Sequence, residues 1–236
     1  MNVRAITGSI KRFGAFRTVA DLALRSVNRV ILLRVLKAIL IQTVDADFLE
    51  CAEKYRGTFL DEAMLREFAA DPRNEISPTF LDQALAKGDE CYGFLAGDRL
   101  AAYGWYATGP TTLDIPGLRL RFDSDYVYMY NGFTAAEHRG QRLHAVGMTR
   151  ALAVYLARGY SGIVSYVEWN NFASLTSCYR MGYRDFGAVT IAGLRTHYAV
   201  WHDAGCRKHG FRLERAAGRE DGAGPEERMN RRSSGA

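Results

Sequence analysis

Apolar and polar positions recur with different periods along this chain, and each period predicts an element. Residues 18–33 carry apolar side chains at helical spacing and predict a helix. Residues 35–44 (VLKAILIQTV) are apolar and β-branched and predict a first strand. Asp45 or Asp47 is placed to cap a helix around 48–56, and a second helical stretch covers about 59–70. Asp71-Pro72 interrupts that stretch, and Ser77-Pro78 restarts a helix through about Ala86, with Gly88 as its stop. Residues 91–96 and 99–108 form a hairpin around Gly97-Asp98, and 109–117 (GPTTLDIPG) read as a loop.

Residues 118–122 suit a short strand and 126–134 a longer one. In the longer strand Tyr126, Tyr128 and Tyr130 share one face, with Val127 and Met129 on the other. An Arg-Gly turn follows, then a helix to about Arg158, a strand over 162–168 and a helix over about 172–181. Two strands over 185–193 and 195–202 close the pattern. From Asp203 the chain is rich in charge, Gly and Ser and poor in apolar periodicity. It predicts a disordered tail with a weak helical tendency near 211–217, whose removal from 204 onward leaves the domain folded. There are no internal repeats.

A length of 236 residues suits one domain with appendages, and 48% hydrophobic residues are enough for a sizeable core. The four cysteines (Cys51, Cys91, Cys178, Cys206) lie far apart with no C-x-x-C pair, which points to reduced thiols in a cytoplasmic protein without a bound metal. Charge is uneven: residues 1–37 hold eight Lys/Arg against the single acid Asp21, so the basic character belongs to an N-terminal arm. Arg34 and Lys37 break the apolar run of that arm, which argues against a secretory signal and against a membrane-crossing helix. Phe13, Phe16, Val19, Leu22 and Leu24 accompany its Arg residues, so peripheral membrane contact through residues 1–37 stands beside a solvated basic helix packed on the domain.

The segment 133–183 carries the chemistry. Its strand runs into Arg139-Gly140, the turn opens a helix, a second apolar strand ends near Asn171, and the next helix closes on Gly182-Tyr183. A helix N-terminus presents unpaired N–H groups and a partial positive charge, which together cradle a phosphate. This order resembles the GNAT superfamily of N-acetyltransferases. The resemblance covers the layout of about residues 38–202, while its motifs lie within 132–183. The family's acyl-CoA loop reads like Tyr-Arg-Gly-x-Gly-Leu-Gly, and here the same stretch is His138-Arg139-Gly140-Gln141-Arg142-Leu143-His144. Arg142 and His144 therefore stand where the family has Gly, which implies an altered loop geometry or a different donor.

The resemblance implies an α/β fold: a GNAT-like single domain over 35–202, with a mixed, mostly antiparallel sheet splayed between its fourth and fifth strands and helices on both faces. Residues 1–34 would be the basic arm and 203–236 the tail. It further implies that Gly132, Phe133 and Thr134 pair with the pantetheine of acetyl-CoA or another acyl-CoA. Arg139, Gly140, Gln141, Arg142, Leu143, His144 and Ala145 would bind the donor, with the backbone N–H groups from Gly140 to Ala145 holding its pyrophosphate, and Asn171 would touch the pantetheine. The expected reaction is direct attack of a small-molecule or peptide amine on the thioester. Family members often use a tyrosine of the last helix as acid; here that position falls on Cys178, and Tyr179 comes one residue late, a rotation of about 100°. Tyr179 as acid and Glu168 as base are the candidates, against readings as a packed aromatic and a solvent-facing carboxylate. His138 and His144 flank the loop.

Two other functions stay open. One is transfer from acyl carrier protein or aminoacyl-tRNA, since the basic arm suits an acidic donor, with no sequence-specific nucleic-acid binding. The other is a non-catalytic GNAT-like binding module. Loops such as 71–78 and 109–117 would set the acceptor.

Overall fold

The apolar run LLRVLKAILI forms strand β1 (Leu32–Ile41), and Leu36, Ala38 and Ile39 within it have no solvent contact, so it lies inside a sheet. The structure, a computed structural model, describes residues 3–216 apart from 29, 30, 114, 116, 195 and 196, with side chains from Thr7 onward. Ahead of β1, helices α1 (Val3–Phe13) and α2 (Ala15–Val27) pack together across Gly14, whose φ is +88°. The helix predicted over 18–33 ends earlier because Asn28 turns the chain. Its amide donates to the Leu33 carbonyl at 2.8 Å, and its side-chain oxygen accepts from the Leu33 N–H at 2.6 Å. Arg34 thus belongs to the sheet and not to the arm.

The helix predicted around 48–56 does not form. Asp45 caps only a 3-10 turn, Ala46–Phe48, and the chain then extends into β2 (Tyr55–Leu60). Tyr55, Thr58 and Phe59 favour a strand, and Gly57 lies flat on an aromatic floor, where a Cβ would meet Phe94 Cε1 at 2.6 Å. The prediction of a helix from 59 fails at its start for the same reason. Helix α3 (Glu62–Ala69) begins after Asp61, whose side chain accepts from the Met64 N–H, and α4 (Pro78–Ala86) begins after the Ser77 cap.

The remaining elements are β3 (Glu90–Ala96), β4 (Arg99–Ala107), β5 (Thr111–Thr112), β6 (Leu118–Arg121), β7 (Tyr126–Thr134), α5 (Leu143–Ala157), β8 (Gly162–Glu168), α6 (Phe172–Arg180), β9 (Arg184–Leu194), β10 (His197–His202), α7 (Ala204–Lys208) and β11 (Arg212–Arg215). The large sheet has the order β10-β9-β1-β8-β7-β4-β3-β2. All its neighbours are antiparallel except β7 and β8, the fourth and fifth strands counted from the β2 edge. The first strand of the chain therefore fills a slot between β8 and β9.

Helix α5 covers one face, burying Val146, Met148, Leu152 and Tyr155 against Val127, Met129 and Ile163. On the other face α3 and α4 cover the β2 end, where Leu65 and Leu81 meet Leu95 and Trp105. Toward β9 that face is covered by a second sheet of order β11-β6-β5. Residues 109–117 are not a bare loop: Thr111 and Thr112 pair with β6, and Leu113 and Ile115 are buried. The chain beyond Asp203 is not a disordered tail as far as Ala216. Cys206 and Phe211 are fully buried, and Leu213 pairs with Leu120 in a ladder with β6. Apolar residues too sparse to show a period still bury well when each lands on a preformed face. Residues 217–236 of the predicted tail lie outside the described residues.

Candidate functional site

Strands β7 and β8 are paired only at Tyr126, Val127 and Tyr128, against Gly162, Ile163 and Val164. Both run on, to Thr134 and Glu168, so the sheet opens between them. Two features wedge it. Asn131 takes φ +47°, a left-handed conformation that Asn tolerates, and the register with β4 shifts there from Trp105↔Tyr130 to Tyr103↔Phe133. Across the opening, the Ser165 hydroxyl donates to the Met129 carbonyl at 2.9 Å. Beyond this point Gly132 lies in the register shift and Phe133 and Thr134 keep their ladder with β4 on one side, while the side toward β8 is unladdered. An extended chain can add there as a strand would.

The turn after β7 leads to the start of α5. Gly140 takes φ +80° and Arg142 φ +59°. Backbone N–H groups of Gly140, Gln141, Arg142, Leu143, His144 and Ala145 make no hydrogen bond among the described residues, the first helical bond being Val146 N–H to the Arg142 carbonyl. No acidic side chain lies in the first turn of α5. Unpaired donors, a helix dipole and no competing carboxylate make this an anion cradle. Arg139 is partly committed, its Nε donating to the Thr134 carbonyl at 3.3 Å.

The two positions that lack glycine are explained by their neighbours. Arg142 adopts the left-handed backbone that favours glycine, and its guanidinium is tied away from the cradle. Nη2 donates to the Asp47 carbonyl at 2.8 Å, and the group stacks over the Phe48 ring at 5.1 Å. Arg150, one face along on α5, donates to the Leu49 carbonyl at 2.7 Å, so two arginines fasten the 3-10 segment to the helix. His144 packs on Gly132, and burial pushes its pKa down, which keeps the ring neutral. His138 bonds the Tyr55 hydroxyl at 3.2 Å and meets that ring edge-on.

On the far wall, Asn171 caps α6, its side chain accepting from the Ser174 N–H at 3.2 Å. Cys178 packs against the α5-side core, and burial raises its thiol to about 11. Tyr179 points outward instead. Its hydroxyl donates to Asp185 at 2.7 Å, with Lys37 on the other carboxylate oxygen at 2.7 Å. Burial and that bond raise the phenol to about 12, so it stays protonated at neutral pH. Glu168 is engaged by the Arg34 guanidinium. Both expected catalytic side chains thus have a charged partner within the protein.

A cleft of about 470 Å³ adjoins the cradle. Phe133 and His138 line it from the donor side, and Asp71, Arg73 and Glu75 from the connection between α3 and α4. Part of the loop predicted to set the acceptor is therefore at the site. In the segment 109–117, Thr111 and Thr112 instead pair in the second sheet. Sequence reading missed one buried cluster: the Tyr130 hydroxyl donates to Asp89, which also pairs with Lys87 at 2.6 Å. Its only signal was the tyrosine at alternate positions of β7. Among the described residues, no group of three or more His, Cys, Asp or Glu side chains is arranged to hold a metal ion.

With the splayed strands, the bulge at Asn131 and the cradle in place, the layout can be named. The fold is GNAT-like. No known family model matches the chain, and no curated protein matches it either. Among solved structures it is similar to a GNAT-family protein from Novosphingobium aromaticivorans, at 20% identity and a TM-score of 0.49, over 71% of this chain and 68% of the other. It is also similar to a GCN5-related N-acetyltransferase-like protein from Streptococcus suis, at 12% identity and a TM-score of 0.49, over 75% of this chain and 68% of the other. Likenesses this distant fix neither activity nor substrate.

Proposed function

We propose that this protein is an acyltransferase that moves an acetyl or other acyl group from acyl-CoA to an amine. The observation that carries the reading is the run of unpartnered N–H groups from Gly140 and its neighbours beside the unladdered edge of Gly132, Phe133 and Thr134. One suits a pyrophosphate and the other an extended amide-bearing arm, and acyl-CoA joins both in one molecule. The thioester carbon supplied by that donor is the electrophile. The chain's own task is to align the donor, exclude water and move two protons.

Tyr179 is the acid of this reading: its phenol is protonated at neutral pH, and the rise to about 12, due in part to Asp185, makes it a weaker donor while that bond lasts. Glu168 is the base of this reading, with one carboxylate oxygen held by Arg34. That commitment of both side chains is the one observation favouring a second reading, a module that binds acyl-CoA without turning it over. Calorimetric titration with acetyl-CoA and long-chain acyl-CoA tests the first claim: micromolar binding of either supports the donor site, and binding of neither ends the proposal. Release of free thiol in the presence of an amine panel then separates enzyme from module.

A further inference from the structure

One arc of α2 carries apolar side chains that no described residue covers. Phe16 is 82% exposed, Val19 62% and Val27 37%, and Ala23 is exposed between them. At about 100° per residue these four positions fall within about 80° of the helix surface, away from the buried Thr18. Ile10 of α1 is exposed as well. Lys11 and Arg12 are exposed at the end of α1, whereas Arg17 lies over the Phe172 ring at 5.4 Å and Arg25 falls about 160° from the middle of the stripe, beside Asp21. The single acid of this arm, Asp21, turns inward, accepting from the Asn170 amide at 2.7 Å and from Arg25 at 2.8 Å.

We propose that the α1–α2 hairpin docks the protein on an anionic lipid surface. Phe16, Val19 and Val27 would seat at the headgroup level, with Lys11 and Arg12 against lipid phosphates. A polyanion such as nucleic acid would satisfy the cations and leave the stripe in water. A second copy of this chain would cover the stripe while setting cations against cations across a two-fold axis. A bilayer interface takes both at once. The hairpin lies on the surface rather than crossing it: α2 has 13 residues, and among the described residues no helix is long and apolar enough to span a membrane.

The placement has a consequence for the site. The Phe13 ring packs tilted against Phe172 at 5.7 Å, and Asp21 holds Asn170, so the hairpin is anchored on either side of Asn171. Docking would hold the splayed strands at the interface. The inference does not depend on acyl transfer, and its test reads lipid binding only.

The full chain is sedimented with vesicles of phosphatidylcholine, or of phosphatidylcholine mixed with phosphatidylglycerol. The expected result is binding to the mixed vesicles at low salt, lost at high salt, with little binding to the neutral ones. Phe16→Ser with Val19→Ser should lower the bound fraction about ten-fold at an unchanged melting temperature. Lys11→Glu with Arg12→Glu should lower it to a similar degree, about ten-fold, and flatten the salt dependence. Absence of binding, equal binding to neutral vesicles, or parent-like binding by the folded Phe16→Ser, Val19→Ser protein overturns the proposal. So does a parent dimer that this double variant converts to monomer without any lipid effect, which would make the face a self-interface.

Discussion

The ring of His144 fills the space over Gly132: a Cβ on residue 132 would meet His144 Cε1 at 2.8 Å and Nδ1 at 3.0 Å. The first turn of the cradle helix is thereby seated on the strand proposed to pair with the donor. Gly132→Ala should cost about 1–3 kcal/mol through overpacking. Combining it with His144→Ala should recover a large part of that, and urea unfolding of the four proteins of the cycle would measure the coupling. Additive losses would show that the two residues do not share this space.

The same packing sets a pH dependence. Burial lowers the pKa of His144 from its ordinary 6.5, and that of His202 falls for the same reason, with Arg212 and Arg207 adding to it. The unfolded chain binds a proton at each ring before the folded one does. Their contribution is therefore complete above about pH 6.5 and is lost as pH falls through the lowered folded values. His144→Gln with His202→Gln should flatten stability against pH below 6.5, read as melting temperature across a buffer series.

At the cradle, Gly140→Asp puts a carboxylate among unpaired N–H groups aimed at an anion. Loss of acyl-CoA affinity by at least about a hundred-fold is expected, with the fold retained, since like charge and bulk act together. Arg142→Gly should keep affinity within about three-fold, because that guanidinium already serves the Asp47 carbonyl and Phe48, and glycine suits the φ of +59°. A loss of ten-fold or more in calorimetry would mean that Arg142 swings onto the phosphate.

Tyr179→Phe tests the acid. Turnover should fall by about a hundred-fold with acyl-CoA affinity unchanged, the pattern of a lost proton donor. Unchanged turnover would leave solvent to protonate the thiolate and reduce Tyr179 to a partner of Asp185.

Beyond Asp203, Phe211→Ala should destabilise by about 3–5 kcal/mol, since the fully buried ring packs edge-on against Phe186 at 5.4 Å. Ending the chain at Asp203 would also strip β6 of its β11 partner and uncover Leu120. Thermal melts of both proteins decide this: parent-like melting would show that α7 and β11 are dispensable.

Much of the pattern was legible locally. Strands β3, β4, β7 and β8 and helices α4, α5 and α6 follow from period, cap residues and turn residues, which act within a few positions of themselves. Arg139-Gly140 and Asn171 marked the cradle and the far wall by spacing. Gln141 and Arg142 were read as donor contacts through their backbone, and no local signal showed that the Arg142 side chain would turn to Asp47.

The remainder belongs to the tertiary structure, because it depends on which distant segment arrives beside which. The apolar run at Leu36 announced a buried strand, yet its place opposite Glu168 and Val189 exists only once the sheet assembles. That placement carries Arg34 to Glu168 and Lys37 to Asp185, and so decides the state of both expected catalytic groups. Residues 48–56 and 59–70 read as two helices by local pattern, whereas Gly57 between them lies in β2 on the floor that Phe94 supplies. Cys206 and Phe211 were too few to form a period, and they acquired meaning as core residues when β6 offered an edge to pair with. The chain's periodicity determined which segments would be helix or strand and where an anion could sit; side-chain packing across long separations decided which of those groups hold one another and which face the cleft.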